Sequence, residues 1–215
     1  MSGLPAELGD LRPRFTAADA LAHLRGARLP TGARPAAVLI LLGRPADDYE
    51  IVFVEKTATL RNHAGQIAFP GGSLEPDETD PVTAALREAE EEAGIDPATV
   101  EVLGVLPTAH IVRSDFDVTS VVGWWRDPVE LVPVDTVEIA AVHRIGVPAL
   151  LDPANRLTWM LPNGYAGPAF VIGDLFIWGF TAFLLDGLFD LLGWTTPWDA
   201  SRTSAIPPRF FSERL

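Results

Sequence analysis

Short apolar runs separated by turn residues mark the first half of the chain. Residues 36–43 (AAVLILLG) and 50–57 (EIVFVEKT) flank a turn rich in Gly, Pro and Asp, so the pattern predicts two strands joined as a hairpin. A shorter run at 66–69 (QIAF) stops at Pro70 and predicts another strand. Further strands are predicted at 100–107, 116–124 and 137–147, and a hairpin-like region at 157–178 carries Asn163-Gly164 at its turn.

Helical signals follow the third strand and return near the end of the chain. Asp80 is a good N-cap, Pro81 suits the first helical position, and Gly94 supplies a C-terminal stop, which predicts a helix between them. A second helix is predicted over about 179–193. Its apolar residues fall on one side: Phe180, Phe183, Leu184, Leu188 and Leu191. Strands that enclose two or three helices predict a mixed α/β sandwich.

The expected organisation is a single domain over residues 1–215 with a core at about 36–193. Thr16 can cap a short N-terminal helix within 16–25, and the proline-containing tail at 195–215 is expected to be extended. With 48% hydrophobic residues, the chain has the composition of a folded globular protein.

Charge and composition narrow the class of partner. The net charge of -13 argues against nucleic acid, because proteins that bind it present a basic face. The absence of cysteine excludes a disulfide framework or a thiolate site. The N-terminus lacks the pattern of a signal peptide, and the apolar segment 171–194 contains three aspartates, which disfavours a membrane span. We therefore expect a soluble cytoplasmic protein.

The helix after Asp80 concentrates carboxylates on one face. Glu88, Glu91 and Glu92 lie at i, i+3 and i+4, and Arg87 lies four residues before Glu91, where it can steer that carboxylate. A solvated surface helix is the plain alternative. A shared divalent cation is the functional one, and hard oxygen ligands favour Mg²⁺ or Mn²⁺. The preceding Gly71-Gly72 pair is predicted to form a turn, which can bring backbone amides near a phosphate.

These residues resemble the Nudix box, G-x5-E-x7-R-E-U-x-E-E-x-G-U, in which U is aliphatic. The matching positions are Gly72, Glu78, Arg87, Glu88, Glu91, Glu92, Gly94 and Ile95, with eight residues instead of seven between Glu78 and Arg87. The resemblance implies a Nudix-type α/β/α sandwich with a mixed β-sheet. It also implies metal ligands at Glu88, Glu91 and Glu92, and catalytic roles for Glu91 and Arg87.

The stretch before the box resembles the signature of Nudix coenzyme A pyrophosphatases. The matches are Arg61, Gly65, Phe69, Pro70, Gly71 and Gly72, while Lys56 and Thr57 stand where Arg and Ser are expected. This resemblance implies a small-molecule substrate, coenzyme A or acyl-CoA, cleaved to 3',5'-ADP and (acyl-)4'-phosphopantetheine. Placed beside such a site, Arg61, His63, Gly71 and Gly72 are expected to bind the substrate.

Several alternatives stay open at this point. Glu138 is our candidate for a further acid outside the box, as general base, although it can also simply mark the start of a strand. Arg61 and His63 can be surface residues. Three tryptophans could stack on an adenine or belong to the core: Trp124, Trp125 and Trp159. The function can be hydrolysis of another substrate, such as ADP-ribose or an oxidised nucleoside triphosphate, or nucleotide binding without catalysis. A homodimer also stays open.

Overall fold

The computed structural model describes residues 4–10, 12–15, 28–45, 47–60, 63–112 and 114–210. The larger of two sheets has eight strands: β1 Arg34–Gly43, β2 Glu50–Lys56, β3 Ile67–Ala68, β4 Gly71–Ser73, β5 Val100–Val105, β6 Ala109–Ile111, β7 Phe116–Trp125 and β8 Ile139–Gly146. The smaller sheet has four: β9 Arg156–Met160, β10 Ala166–Ile172, β11 Leu175–Ile177 and β12 Thr203–Ala205. The α-helices are α1 Ala6–Gly9, α2 Pro81–Ala93, α3 Val147–Leu151 and α4 Gly179–Leu192.

Strand β1 lies at the centre of the larger sheet. It runs parallel to β7 from the pair Arg34–Phe116 to the pair Leu42–Trp124, and antiparallel to β2 and β4 on its other side. The predicted hairpin of β1 and β2 is confirmed, but only Leu42 and Gly43 pair with β2, whose longer partner is β8. Parallel and antiparallel pairs in one sheet confirm the predicted mixed topology.

Alternation along β1 divides the larger sheet into two apolar faces. Leu39 and Leu41 belong to a core with the alanines of α2, whereas Ile40 and Leu42 belong to a core with α4. Phe170 of the smaller sheet joins the core on the α4 side. The sheet is therefore covered by a helix on each face, as the predicted α/β/α sandwich requires.

Helix α2 begins and ends where the sequence predicts. The Asp80 side chain accepts hydrogen bonds from the backbone N–H groups of Val82 (3.1 Å) and Thr83 (3.2 Å), and Pro81 is the first helical residue. Gly94 closes the helix in the left-handed region, at a φ of 69°. Local cap residues therefore fix the helix that carries the acidic face.

Several expectations need adjustment. The tail forms β12, which pairs in parallel with β9, and then buries Phe210, so it is packed on the smaller sheet as far as residue 210. The predicted helix at 16–25 and the last five residues lie outside the described residues. Trp124, Trp125 and Trp159 are buried core residues, so stacking of an adenine on them is wrong. Among the described helices, none is long and apolar enough to cross a bilayer.

Candidate active site

The glycine pair lies in a strand, where the sequence indicated a turn. Gly71 has a φ of 154°, and a Cβ on it would lie 2.4 Å from the carbonyl oxygen of Ala37. Only glycine permits this close approach, which lets β4 pair with β1 beside α2. The Gly71 amide donates to the Glu92 carboxylate of α2, so it is already bonded within the protein.

Glu92 is the most deeply buried of the three predicted metal ligands, with 5% of its side chain exposed. Its Oε1 lies 2.5 Å from the Lys56 Nζ, and its Oε2 accepts a hydrogen bond of 3.0 Å from the Gly71 amide. Burial raises the pKa of the Glu92 carboxyl above its ordinary value, although Lys56 and the Gly71 amide both favour the charged form. The carboxylate is thus held towards β2 and β4.

Glu88 occupies the neighbouring position, one turn earlier on α2. Its carboxylate lies directly over Gly72, where a Cβ would come 2.6 Å from the Glu88 Cδ. The Arg87 Nη1 donates to it at 3.0 Å. Burial raises the pKa of the Glu88 carboxyl, and the Arg87 guanidinium opposes that rise. The largely buried carboxylates of Glu88 and Glu92 therefore face the glycine strand side by side.

Arg87 links the acidic helix to the loop before it. Its Nε and Nη2 donate to the two oxygens of Glu78 at 2.9 and 3.0 Å, and Nη1 donates to Glu91 at 2.8 Å. The hydrogen bonds from Arg87 lower the pKa of the Glu78 carboxyl and, reciprocally, raise the pKa of Arg87. The longer loop therefore does not prevent Glu78 from reaching Arg87. Glu91 is different, because 56% of its side chain is exposed.

Glu138 lies next to this group, in the turn that precedes β8. Its Oε2 is 3.6 Å from the Lys56 Nζ, and 52% of its side chain is exposed. The turn is tied to the end of β2, because the Thr57 amide donates to the Glu138 carbonyl at 2.8 Å and the Thr57 hydroxyl donates to the Val137 carbonyl. The sequence had left open whether Glu138 only marks a strand end. Its carboxylate lies near the Lys56 ammonium, which also pairs with Glu92.

The three glutamates of α2 do not converge on one point in the described residues. No group of three or more His, Cys, Asp or Glu side chains forms a metal-binding cluster among them. Glu92 turns to Lys56, Glu91 turns to Arg87, and Glu88 lies between them. The site nevertheless fits a hard divalent cation, since its donors are carboxylate oxygens and burial makes the ionised forms of Glu88 and Glu92 costly without positive charge.

The two other predicted substrate residues, Arg61 and His63, follow β2 in the sequence. Arg61 is outside the described residues. His63 is exposed, with a φ of 61° and its Nδ1 3.0 Å from the Gln66 Oε1. The Gly65 amide donates to the Lys56 carbonyl at 3.1 Å, which fastens the loop to the end of β2.

Lys56 is the site residue whose position the sequence did not reveal. Lys56 stands where the resemblance leads us to expect arginine, but that match does not identify its partner. The partner, Glu92 of α2, lies 36 residues further along the chain. Composition holds a usable signal: Lys56 is the single lysine among the 16 Lys and Arg residues of the chain. A single lysine in a chain that otherwise uses arginine is the sequence signal that points to this position.

Comparison with known proteins agrees with this geometry. A family model described as the NUDIX domain matches residues 33–159. The chain is 34% identical over 184 residues to a Cronobacter sakazakii protein named uncharacterized Nudix hydrolase NudL, covering 79% of this chain and 88% of that protein. An Escherichia fergusonii protein of the same name is 48% identical over 91 residues, covering 42% of this chain and 46% of that protein, so this match spans about half of the relative.

Solved structures show weaker likeness. A Nudix hydrolase from M. smegmatis, RenU, is 23% identical with a TM-score of 0.48, covering 60% of this chain and 83% of that one. A C. elegans Ap4A hydrolase binary complex is 20% identical with a TM-score of 0.44, covering 51% and 78%.

The family model covers more than half of the chain, and one relative is matched over most of its length. The chain therefore belongs to the Nudix family. It is a Nudix hydrolase, an enzyme of a family whose members cleave pyrophosphate bonds in small nucleotide derivatives and generally use Mg²⁺ or Mn²⁺.

Proposed function

We propose that this Nudix hydrolase cleaves the pyrophosphate bond of coenzyme A or acyl-CoA, giving 3',5'-ADP and (acyl-)4'-phosphopantetheine. One observation carries the proposal. The stretch that resembles the coenzyme A pyrophosphatase signature packs directly on the box helix, through Lys56 and Gly71 to Glu92 and through Gly72 to Glu88. This packing supports the proposal, because the stretch that carries the resemblance adjoins the acidic helix.

Each side chain then has a proposed role. Glu88 and Glu92 hold Mg²⁺ (or Mn²⁺), and the exposed Glu91 carboxylate either supplies a third ligand or orients water. When bound, the ion neutralises charge on the diphosphate and lowers the pKa of water. Arg87 keeps Glu78 and Glu91 in place through its hydrogen bonds.

The reaction also needs a proton acceptor and groups that bind the substrate. Glu138 or Glu91 accepts the proton of the attacking water, because both carboxylates border the site and remain accessible to solvent. The oxygen between the two phosphates leaves with one of them as water adds to the other phosphorus. Arg61 and His63 are proposed to contact the phosphates from the loop after β2. Gly71 and Gly72 shape the floor of the site by admitting the carboxylates.

The test is a product analysis. The protein is incubated with Mg²⁺ and equal concentrations of coenzyme A, ADP-ribose or an oxidised nucleoside triphosphate, and products are identified by mass. We expect 3',5'-ADP and phosphopantetheine from coenzyme A, with a kcat/KM at least about 10-fold above those of the other two compounds. A preference for either other compound contradicts the proposed substrate while leaving the hydrolase class intact.

A further inference from the structure

Lys56 continues the alternation of β2 on the face that α2 covers. Val54 and Val52, two and four residues earlier, belong to the apolar core that contains the alanines of α2, so the Lys56 side chain lies on the side of that helix. The Lys56 amide donates to the Gln66 carbonyl at 2.9 Å, which fixes the backbone at this position. Only 14% of the side chain is exposed.

The Lys56 ammonium lies between two carboxylates that belong to different elements and repel each other. It lies 2.5 Å from the Glu92 Oε1 on α2 and 3.6 Å from the Glu138 Oε2 in the turn before β8. One cation between two carboxylates offsets their mutual repulsion. The chain elsewhere uses arginine as its long-chain cation, and this is its single lysine. The lysine ammonium is a compact charge on a flexible four-carbon chain, so it can break its contact with one carboxylate oxygen and keep its contact with another. The planar arginine guanidinium binds through a rigid fork of donors.

We propose that Lys56 is a positioning residue that takes the place of the divalent cation in the metal-free protein: it holds Glu92 and Glu138 at the site, and it releases Glu92 while keeping Glu138 when the cation binds. This inference rests on the proposed metal ligands and is independent of which nucleotide derivative is cleaved. Glu88, Glu91 and Glu92 do not converge on one point, because their positive partners, Lys56 and Arg87, belong to different elements.

A single lysine makes the proposal directly observable. Protein labelled with ¹³C,¹⁵N-lysine gives one side-chain Cε–Nζ signal, which is followed during titration with Mg²⁺ in the absence of substrate. We expect the signal to move to a plateau, and to stay unmoved by the same Mg²⁺ concentrations in Glu92→Gln. Mn²⁺ binding measured in parallel by electron paramagnetic resonance establishes occupancy. A lysine signal that is unchanged while Mn²⁺ binds overturns the proposal, and so does a protein that binds no Mn²⁺.

Thermal unfolding of Lys56→Met and Lys56→Arg gives a second readout that needs no turnover. In EDTA, Lys56→Met should unfold at least about 4 °C lower than the natural protein, because it leaves the buried Glu92 carboxylate without a counter-ion. Mn²⁺ should then raise its Tm by more than it raises that of the natural protein, and Lys56→Arg should restore the metal-free Tm.

Arg144→Met is the matched control. Arg144 pairs with Glu50 at 2.5 Å, and Glu50 lies at the opposite end of β2 from Lys56. This variant should lose stability equally with and without Mn²⁺. If Lys56→Met behaves like Arg144→Met, Lys56 is only a structural ion pair and the proposal fails, whereas coenzyme A hydrolysis can still be measured and judged separately.

Discussion

The Glu88 carboxylate lies so close over Gly72 that the two positions constrain each other. A Cβ on residue 72 would lie 2.6 Å from the Glu88 Cδ and 2.7 Å from each of its oxygens. Neighbouring carboxylates on α2 face the same glycine strand, so this contact sets the level at which the acidic helix lies over β4. The Glu88 carboxylate can therefore keep this position only if residue 72 is glycine.

Gly72→Ala tests this contact. The φ of Gly72 is not in the left-handed region, so alanine fits the backbone and the added methyl group must displace the Glu88 carboxylate. We expect turnover to fall by roughly 100-fold, since a displacement of about 1 Å in a catalytic group has that effect. Steady-state kinetics and circular dichroism measure activity and fold together. Gly146→Ala is the control, because Gly146 has an ordinary φ of -61° and the nearest atom to an added Cβ is 3.7 Å away; it should change neither activity nor fold by a comparable amount. Full activity in Gly72→Ala would show that Glu88 is not a ligand in its observed position.

Arg87→Lys tests the link between the acidic helix and the loop at 74–80. Lysine cannot reproduce the paired hydrogen bonds to Glu78 together with the bond to Glu91. We expect kcat to fall by about 10-fold or more, and amide hydrogens at 74–80 to exchange faster. Arg44→Lys, at an exposed ion pair with Glu7, serves as the control and should change neither quantity. Unaltered exchange in Arg87→Lys would mean that the loop is held by other contacts.

Asp117→Asn tests a carboxylate that fastens the segment before β1 to β7. Its oxygens accept hydrogen bonds from the backbone amides of residues 31–33 and from the His110 ring. Burial acts to raise the pKa of Asp117, but these hydrogen bonds outweigh it and hold the pKa below its ordinary value. The folded protein therefore binds this proton less tightly than the unfolded chain does.

The sign of the pH dependence follows from that difference. Asp117 contributes stability above the unfolded pKa of about 3.9, and the contribution is lost as pH falls through the lower folded pKa. Asp117→Asn should thus have a lower Tm than the natural protein at pH 7, and the gap should close below about pH 4. Calorimetry between pH 3 and pH 7 measures it, with the exposed Asp115→Asn as control. A gap that widens in acid would reverse the assigned sign.

Local signals explain which parts of the fold were predictable. The ends of α2 follow from Asp80, Pro81 and Gly94, each of which acts on neighbouring residues, and the alternation in β1 follows from burial on both faces. The sequence predicts a turn where the strand Gly71–Ser73 lies, because the partner of that strand, Ala36–Val38, is distant in sequence. Its glycines are required by contacts with β1 and Glu88, not by a change of chain direction.

The candidate site divides in the same way. The shared face of Glu88 and Glu92 follows from helical spacing, but the partners that hold these carboxylates come from other elements. Spacing likewise could not decide whether Glu78 reaches Arg87 across one extra residue, since loop conformation determines that contact. Sequence thus predicts which groups share an element, whereas contacts between elements require the fold.

The most direct measurement is Mn²⁺ affinity by electron paramagnetic resonance, without substrate, for the natural protein, Glu92→Gln and Glu90→Gln. Glu90 is an exposed residue of the same helix and makes the matched control. The account predicts that Glu92→Gln weakens Mn²⁺ binding by at least about 10-fold, because it removes a charged oxygen ligand, and that Glu90→Gln binds like the natural protein. Equal affinity in all three proteins would contradict a cation held by Glu92.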